Sequence, residues 1–311
     1  MPIDFGLSAP WAVGVPAERY RQFVVRSSRR SQVMLLASLA ALIVGVAGCT
    51  GPSAASAHRI AASQSPVKPP VQPVTQRPAK PVTEHLVHGR FAVAMSGQAL
   101  QGARAAGFSL PALIARALAR VDALLPGPHS TITVNYARGS ALITQAGVYG
   151  FTNPLTVRIK TGFGPTSQVT TRDALRLWFP RDLAHEVNHA VRMLKGPGFG
   201  PTLLPQLLSE GIATAFDQAA FPGPVDPWTD AITAAQECAL WKKAKPQLGY
   251  TGLYDAWMFG SYDIPHWTGF TIGYHIVSDY RHYHPGVSWE TLTSTSAAAI
   301  LAGSHYQPCP K

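Results

Sequence analysis

Between Ser109 and Leu125 the apolar residues Leu113, Ile114, Ala117, Leu118, Val121 and Leu125 recur at helical spacing. That stripe predicts a helix lying on a core, capped by Ser109, with Pro111 in its first turn and Pro126-Gly127-Pro128 ending it. Shorter runs follow at Thr131 to Tyr136, Ala141 to Thr144 and Leu155 to Lys160, separated by Gly and Asn-Pro turns, and these read as strands. Gly147-Val148-Tyr149-Gly150, between the second and third runs, reads either as a hairpin turn or as an edge that another backbone can approach closely. Beyond Thr171 the helical period takes over. One helix has Pro180 in its first turn and runs through Met193 and Leu194 to Gly196-Pro197-Gly198, and a second spans about Thr202 to Phe216. A third opens at Thr229-Asp230, carries Cys238 and Trp241, and turns Lys242, Lys243 and Lys245 to solvent. A long helix follows Pro265, from Trp267 to Tyr283, with Trp267, Phe270, Ile272, Ile276 and Val277 available for a core. The fold class is therefore α+β: a helix and a small mixed sheet, then a mainly helical C-terminal half.

The region before this has a different character. Arg26, Arg29 and Arg30 precede an apolar run from Val33 to Ala47, too short for a comfortable membrane span and ending in small residues, as a signal peptide does. Val46-Ala47-Gly48-Cys49 resembles the bacterial lipobox, which implies lipidation of Cys49 and removal of residues 1–48. The segment ahead of Arg26 is long for a leader and points to a start codon downstream of Met1. Residues 49–83 are rich in Pro, Ala, Ser and Gln and cannot bury a core, so they form an extended tether. The folded domain is then 84–311.

This division changes what the charge means. The formal net charge is +10, but residues 1–83 hold nine Lys and Arg against Asp4 and Glu18, leaving about +3 on the domain. No general case for nucleic-acid binding remains. With Cys49 acylated, Cys238 and Cys309 are either a single disulfide or two free thiols.

The chemistry concentrates in Arg181-Asp182-Leu183-Ala184-His185-Glu186-Val187-Asn188-His189-Ala190, an H-E-x-x-H inside a predicted helix. Residues four apart project from one helix face, so His185 and His189 can grip one metal ion, and imidazoles suit Zn²⁺. Glu186 beside them can take a proton from an attacking water. A third ligand is needed. The metzincin option is excluded, since Arg192 and Lys195 stand where it requires Gly and His. Glu210 lies 21 residues past His189, on the second helix, in the apolar setting Leu207-Leu208-Ser209-Glu210-Gly211-Ile212-Ala213, where an unpaired carboxylate is costly. Asp217, two turns on, either orients a ligand imidazole or faces solvent.

Three blocks resemble a bacterial domain family of unknown function described as predicted Zn-dependent proteases, within the gluzincin group. They are His185-Glu186-Val187-Asn188-His189-Ala190-Val191-Arg192, then Thr202-Leu203-Leu204 leading to Glu210-Gly211-Ile212-Ala213, then Trp267-Thr268-Gly269-Phe270-Thr271-Ile272-Gly273-Tyr274 with Val277. The likeness covers roughly residues 180–305. It implies a zincin-like metallopeptidase domain with His185, His189 and Glu210 on zinc and Glu186 as base. The chain departs from the family in having Phe270 where Tyr is common, and Thr214 and Ala215 where acidic or His residues often follow. Gluzincins commonly place a Tyr or His opposite the metal to stabilise an oxyanion; Tyr274 is the choice here, with His266 and His275 as competitors. The function so implied is a lipid-anchored zinc peptidase acting on peptide or protein substrates outside the cytoplasmic membrane. The competing reading is a zincin-fold envelope lipoprotein that binds or scaffolds without cleaving.

Overall fold

A computed structural model of the protein describes residues 80–310. The expected leader, the lipobox with Cys49 and nearly all of the tether lie outside the described residues. Among the described residues the first regular element begins at Val82, inside the stretch assigned to the tether.

Five strands form one mixed sheet. β1 (Val82–Leu86) is antiparallel to β2 (Phe91–Met95), β2 and β5 (Arg158–Phe163) run parallel to the central β3 (Ser130–Tyr136), and β4 (Val148–Thr152) is antiparallel to β5 at the far edge. Phe91, Val93, Met95, Ile132, Val134, Ile159 and Phe163 alternate onto one buried face, while Thr131, Arg158 and Lys160 face solvent. The parallel pairing of β2 with β3 requires a crossover, supplied by α1 (Gly97–Ala105) and α2 (Leu110–Leu124). The α2 residues Ile114, Leu118 and Val121 join the sheet's core.

Two strand expectations need correction. Ala141–Thr144 is no strand: it follows a 3₁₀ turn at Gly139–Ala141, and only Leu142 of that run is buried. The strand is Val148–Thr152, where Gly150 interrupts the alternation that would have marked it. The next run starts at Arg158 instead of Leu155, because Asn153 Oδ1 accepts the backbone N–H groups of Leu155 and Thr156 and turns the chain there. The β1–β2 hairpin and α1 carried no clear sequence signal.

The second half is α3 (Phe179–Lys195), α4 (Leu203–Ala220), α5 (Ala234–Ala244), α6 (Tyr254–Phe259), α7 (Thr268–Tyr283), α8 (Trp289–Ser294) and α9 (Ala297–Ser304). α3 grows out of a π-helical turn, Ala174–Trp178, in which the Phe179 N–H reaches back to the Ala174 carbonyl. Pro180 explains the wide turn, since it has no N–H to donate and its ring crowds the carbonyl four residues back. α5 begins later than Thr229, at a reciprocal cap between Thr233 and Gln236, while the Thr229 hydroxyl is used in a turn on the Asp226 carbonyl. Lys242 and Lys245 are exposed, and Lys243 pairs with Asp263.

α4 is buried on nearly every side and joins two apolar clusters. Phe216 and Ala220 belong to the cluster of the sheet, α2 and α3; Leu203, Leu207, Leu208 and Ile212 belong to that of the C-terminal helices. α7 meets α4 backbone to backbone. A Cβ on Gly211 would stand 2.2 Å from the Gly273 carbonyl oxygen, and one on Gly273 would stand 2.0 Å from that of Leu207. Only glycine allows this contact, which fixes how deep Glu210 sits. A disulfide joins Cys238 on α5 to Cys309 in the C-terminal tail. Among the described residues no helix is long and apolar enough to cross a membrane.

Candidate metal centre

α3 and α4 pack side by side, and their facing turns bring His185, His189 and Glu210 together. His185 Nε2 and His189 Nε2 are 3.1 Å apart, and Glu210 Oε2 lies 3.2 Å from the first and 3.3 Å from the second. A tetrahedral ion with bonds of ~2.0–2.1 Å needs donor atoms about 3.3 Å apart, so this triangle is one face of such a site. The donor chemistry fits as well. His185 Nδ1 donates to Asp217 Oδ2 at 3.2 Å, since a carboxylate can only accept, and that fixes Nδ1 as a protonated nitrogen. His189 Nδ1 lies 3.2 Å from Ser209 Oγ, which can accept a proton in the same sense. With Nδ1 of each ring turned to an outer partner, both Nε2 atoms face the same carboxylate oxygen, an arrangement into which a cation fits.

The electrostatics agree with that fit. Burial opposes charge on His185, but Asp217 on one side and Glu210 on the other outweigh it and hold its pKa well above the ordinary range. Burial pulls His189 down. Burial would also raise Glu210, yet the two imidazoles keep its carboxyl well below the usual range.

Asp217 is buried, which corrects the solvent-facing alternative for this residue. Its second oxygen accepts from Arg181 Nε at 3.3 Å, and Arg181 Nη2 donates to Asp226 Oδ2 at 2.6 Å. Arg181 stands one turn before His185 on α3, so the chain from Asp226 through Arg181 and Asp217 to His185 runs along one helix face. Asp226 itself is pushed up to about 8 by burial, with the nearby Asp217 charge adding to it.

Glu186 lies on the side of α3 that faces β4. Thr152 Oγ1 donates to its Oε2 at 2.6 Å. A Cβ on Gly150 would meet Glu186 Oε1 at 2.4 Å and Asp182 Oδ1 at 2.8 Å, so the glycine is what lets the edge strand pass over the carboxylate. Thr161 on β5 donates to Asp182 Oδ2 at 2.6 Å. Burial raises Glu186 to about 8, aided by the Asp182 charge and opposed by His185, and it raises Asp182 to about 7. A carboxylate with proton affinity near neutrality is suited to taking and returning a proton.

Tyr274 does not reach this cluster. Its hydroxyl donates to Gln218 Oε1 at 3.1 Å, and Gln218 sits eight residues beyond Glu210 on α4, about 12 Å along the helix. The close contact of Gly273 with α4 sets the register of α7 and turns the next side chain toward the C-terminal end of that helix. The competitors are placed elsewhere: His275 is held by Glu237 at 2.7 Å, and His266 is exposed against Trp267. The phenol at the cluster is Tyr254, at the start of α6, whose hydroxyl donates to Glu210 Oε1 at 2.7 Å. Thr152, Ser209 and Tyr254 were not singled out by sequence. Ser209 could have been, being next to Glu210; Tyr254 and Thr152 lie in segments with no motif.

The class defined here is an α+β protein with an H-E-x-x-H helix and a glutamate from the next helix converging on a site that could hold a metal ion. Residues 156–302 match the family model described as predicted Zn-dependent protease (DUF2268). That span holds α3, α4 and α7 and hence all three donor residues. No curated protein matches the chain.

Proposed function

We propose that the protein is a zinc-dependent peptidase with a zincin-like domain, exported and held at the outer side of the cytoplasmic membrane by a lipid on Cys49, after removal of residues 1–48. Residues 49–83 serve as the tether. The observation that carries the catalytic part is the triangle of His185, His189 and Glu210 with Glu186 beside it under an edge strand. Zinc bound there would polarise a carbonyl and acidify water. Glu186 accepts the proton at a carboxylate whose other contacts, Thr152 and the Gly150 backbone, fix its direction. Asp217 and Ser209 hold the two rings so that the same nitrogen of each faces the ion. β4 ends the sheet, so an extended peptide can pair with its outer edge and lie across the α3 carboxylates.

Glu186→Gln tests this directly, because it keeps the Thr152 contact and removes only the proton acceptor. The variant should retain zinc and lose hydrolysis of a peptide pool by about 10²–10⁴-fold. Full activity in the variant would remove Glu186 from the reaction. Bound zinc with no cleavage of any peptide by the unmodified protein would instead make it a scaffold.

A further inference from the structure

Glu210 uses its two oxygens differently. Oε2 faces both imidazoles at 3.2 and 3.3 Å, while Oε1 accepts the Tyr254 hydroxyl at 2.7 Å. We propose that Tyr254 is a positioning residue that holds Glu210 as a one-oxygen ligand, keeping the remaining corner of the metal open. The proposal rests on the zinc reading of the triangle.

The phenol is placed by contacts on several sides. Its ring stands edge-on to Phe199 at 5.3 Å between centroids and to Phe259 at 5.8 Å, and Phe199 in turn stands edge-on to His189 at 5.7 Å. Phe199 lies between Gly198 and Gly200, both in the left-handed region with φ of 75° and 72°, so the α3–α4 loop folds back to bring that ring over the cluster. The backbone just before Tyr254 is tied to the start of α4. The Leu203 N–H donates to the Tyr250 carbonyl and the Leu204 N–H to that of Leu248, both at 3.0 Å, and Thr202 bridges Thr251. The helix that carries Glu210 therefore also anchors the segment that carries its partner.

A carboxylate free to rotate can give both oxygens to one ion, and the second oxygen would take the place that water or substrate needs. Here that rotation would break a charge-assisted hydrogen bond between a half-buried phenol and a carboxylate that is itself buried. Tyr254 thus acts on the metal through Glu210 and needs no contact with substrate.

The test compares the unmodified protein with Tyr254→Phe, which keeps both ring contacts and removes one hydroxyl. Zinc affinity is read by competition with a chromophoric chelator, and coordination by the visible spectrum of the cobalt(II)-loaded forms. The variant should bind zinc about 10–100-fold more weakly, and its cobalt spectrum should shift toward the weaker absorption of a five-coordinate ion. Unchanged affinity and spectrum in the variant would overturn the role of Tyr254 while leaving the metal site standing. A zinc-loaded crystal of the unmodified protein tests the same point with no variant: Glu210 bound through one oxygen supports it, and through both overturns it. Failure of both proteins to take up zinc would overturn the underlying reading as well.

Discussion

The protein builds two buried constellations from the same residue types, and only one of them is short of positive charge. In the helical half, Glu237 Oε1 accepts from His275 Nδ1 at 2.7 Å and from the Tyr306 hydroxyl at 2.5 Å. Two donors meet one acceptor, so the cluster is complete as it stands, and it pins the C-terminal tail beside the Cys238–Cys309 disulfide. The bond to Glu237 holds His275 above its ordinary pKa, and burial followed by Glu237 raises Tyr306. At Glu210 the counting runs the other way. The imidazoles there spend their Nδ1 positions on Asp217 and Ser209 and turn both Nε2 atoms toward a single carboxylate oxygen, leaving a place for an ion among the three. A carboxylate with a histidine and a tyrosine is thus no sign of a metal site by itself; what distinguishes one is where the outer partners send the protons.

Breaking the two clusters separately should give opposite results. His189→Ala or Glu210→Ala removes one of three donors and should weaken zinc binding on the order of a thousandfold or more, whereas His275→Ala should leave zinc affinity unchanged; isothermal titration distinguishes them. Cys309→Ser opens a loop spanning 71 residues. It should cost about 4 kcal/mol of stability in denaturant titrations, again with zinc affinity intact. Asp217→Asn keeps a hydrogen bond to His185 but loses the charge, and zinc should bind about 10–100-fold more weakly. A pH effect on stability is expected as well. Asp226 has its folded pKa near 8, far above that of an unfolded aspartate, so the folded state holds a proton that the unfolded state releases. Its contribution to stability is full in acid and declines as pH rises from about 4 through 8, by at most about 1.4 kcal/mol per pH unit. In metal-free protein, Asp226→Asn should remove that decline, seen as a shallower fall of melting temperature between pH 5 and 8 than in the unmodified chain.

The same contrast explains what could be read from sequence. α2, α3, α4 and α7 follow from apolar spacing with Pro and Gly at their ends, and the donor residues follow from the four-residue step on α3 and the buried setting of Glu210. β4 was legible only as a turn or as an edge open to another backbone, because Gly150 breaks its alternation where the strand passes Glu186 and Asp182. Tyr274 was chosen because gluzincins commonly place a Tyr or His opposite the metal, but helical phase and the Gly211–Gly273 contact send its hydroxyl to Gln218. Thr152 and Tyr254 reach the site from 34 residues before Glu186 and 44 beyond Glu210. Such partners depend on tertiary placement, which local patterns do not encode.

The central claim is that His185, His189 and Glu210 close around one zinc ion, and anomalous diffraction at the zinc edge from crystals of the zinc-loaded domain tests it most directly. One strong peak is expected within about 2.0–2.2 Å of both Nε2 atoms and of Glu210 Oε2. No peak there, or the principal zinc site on other side chains such as Glu237 and His275, would contradict it.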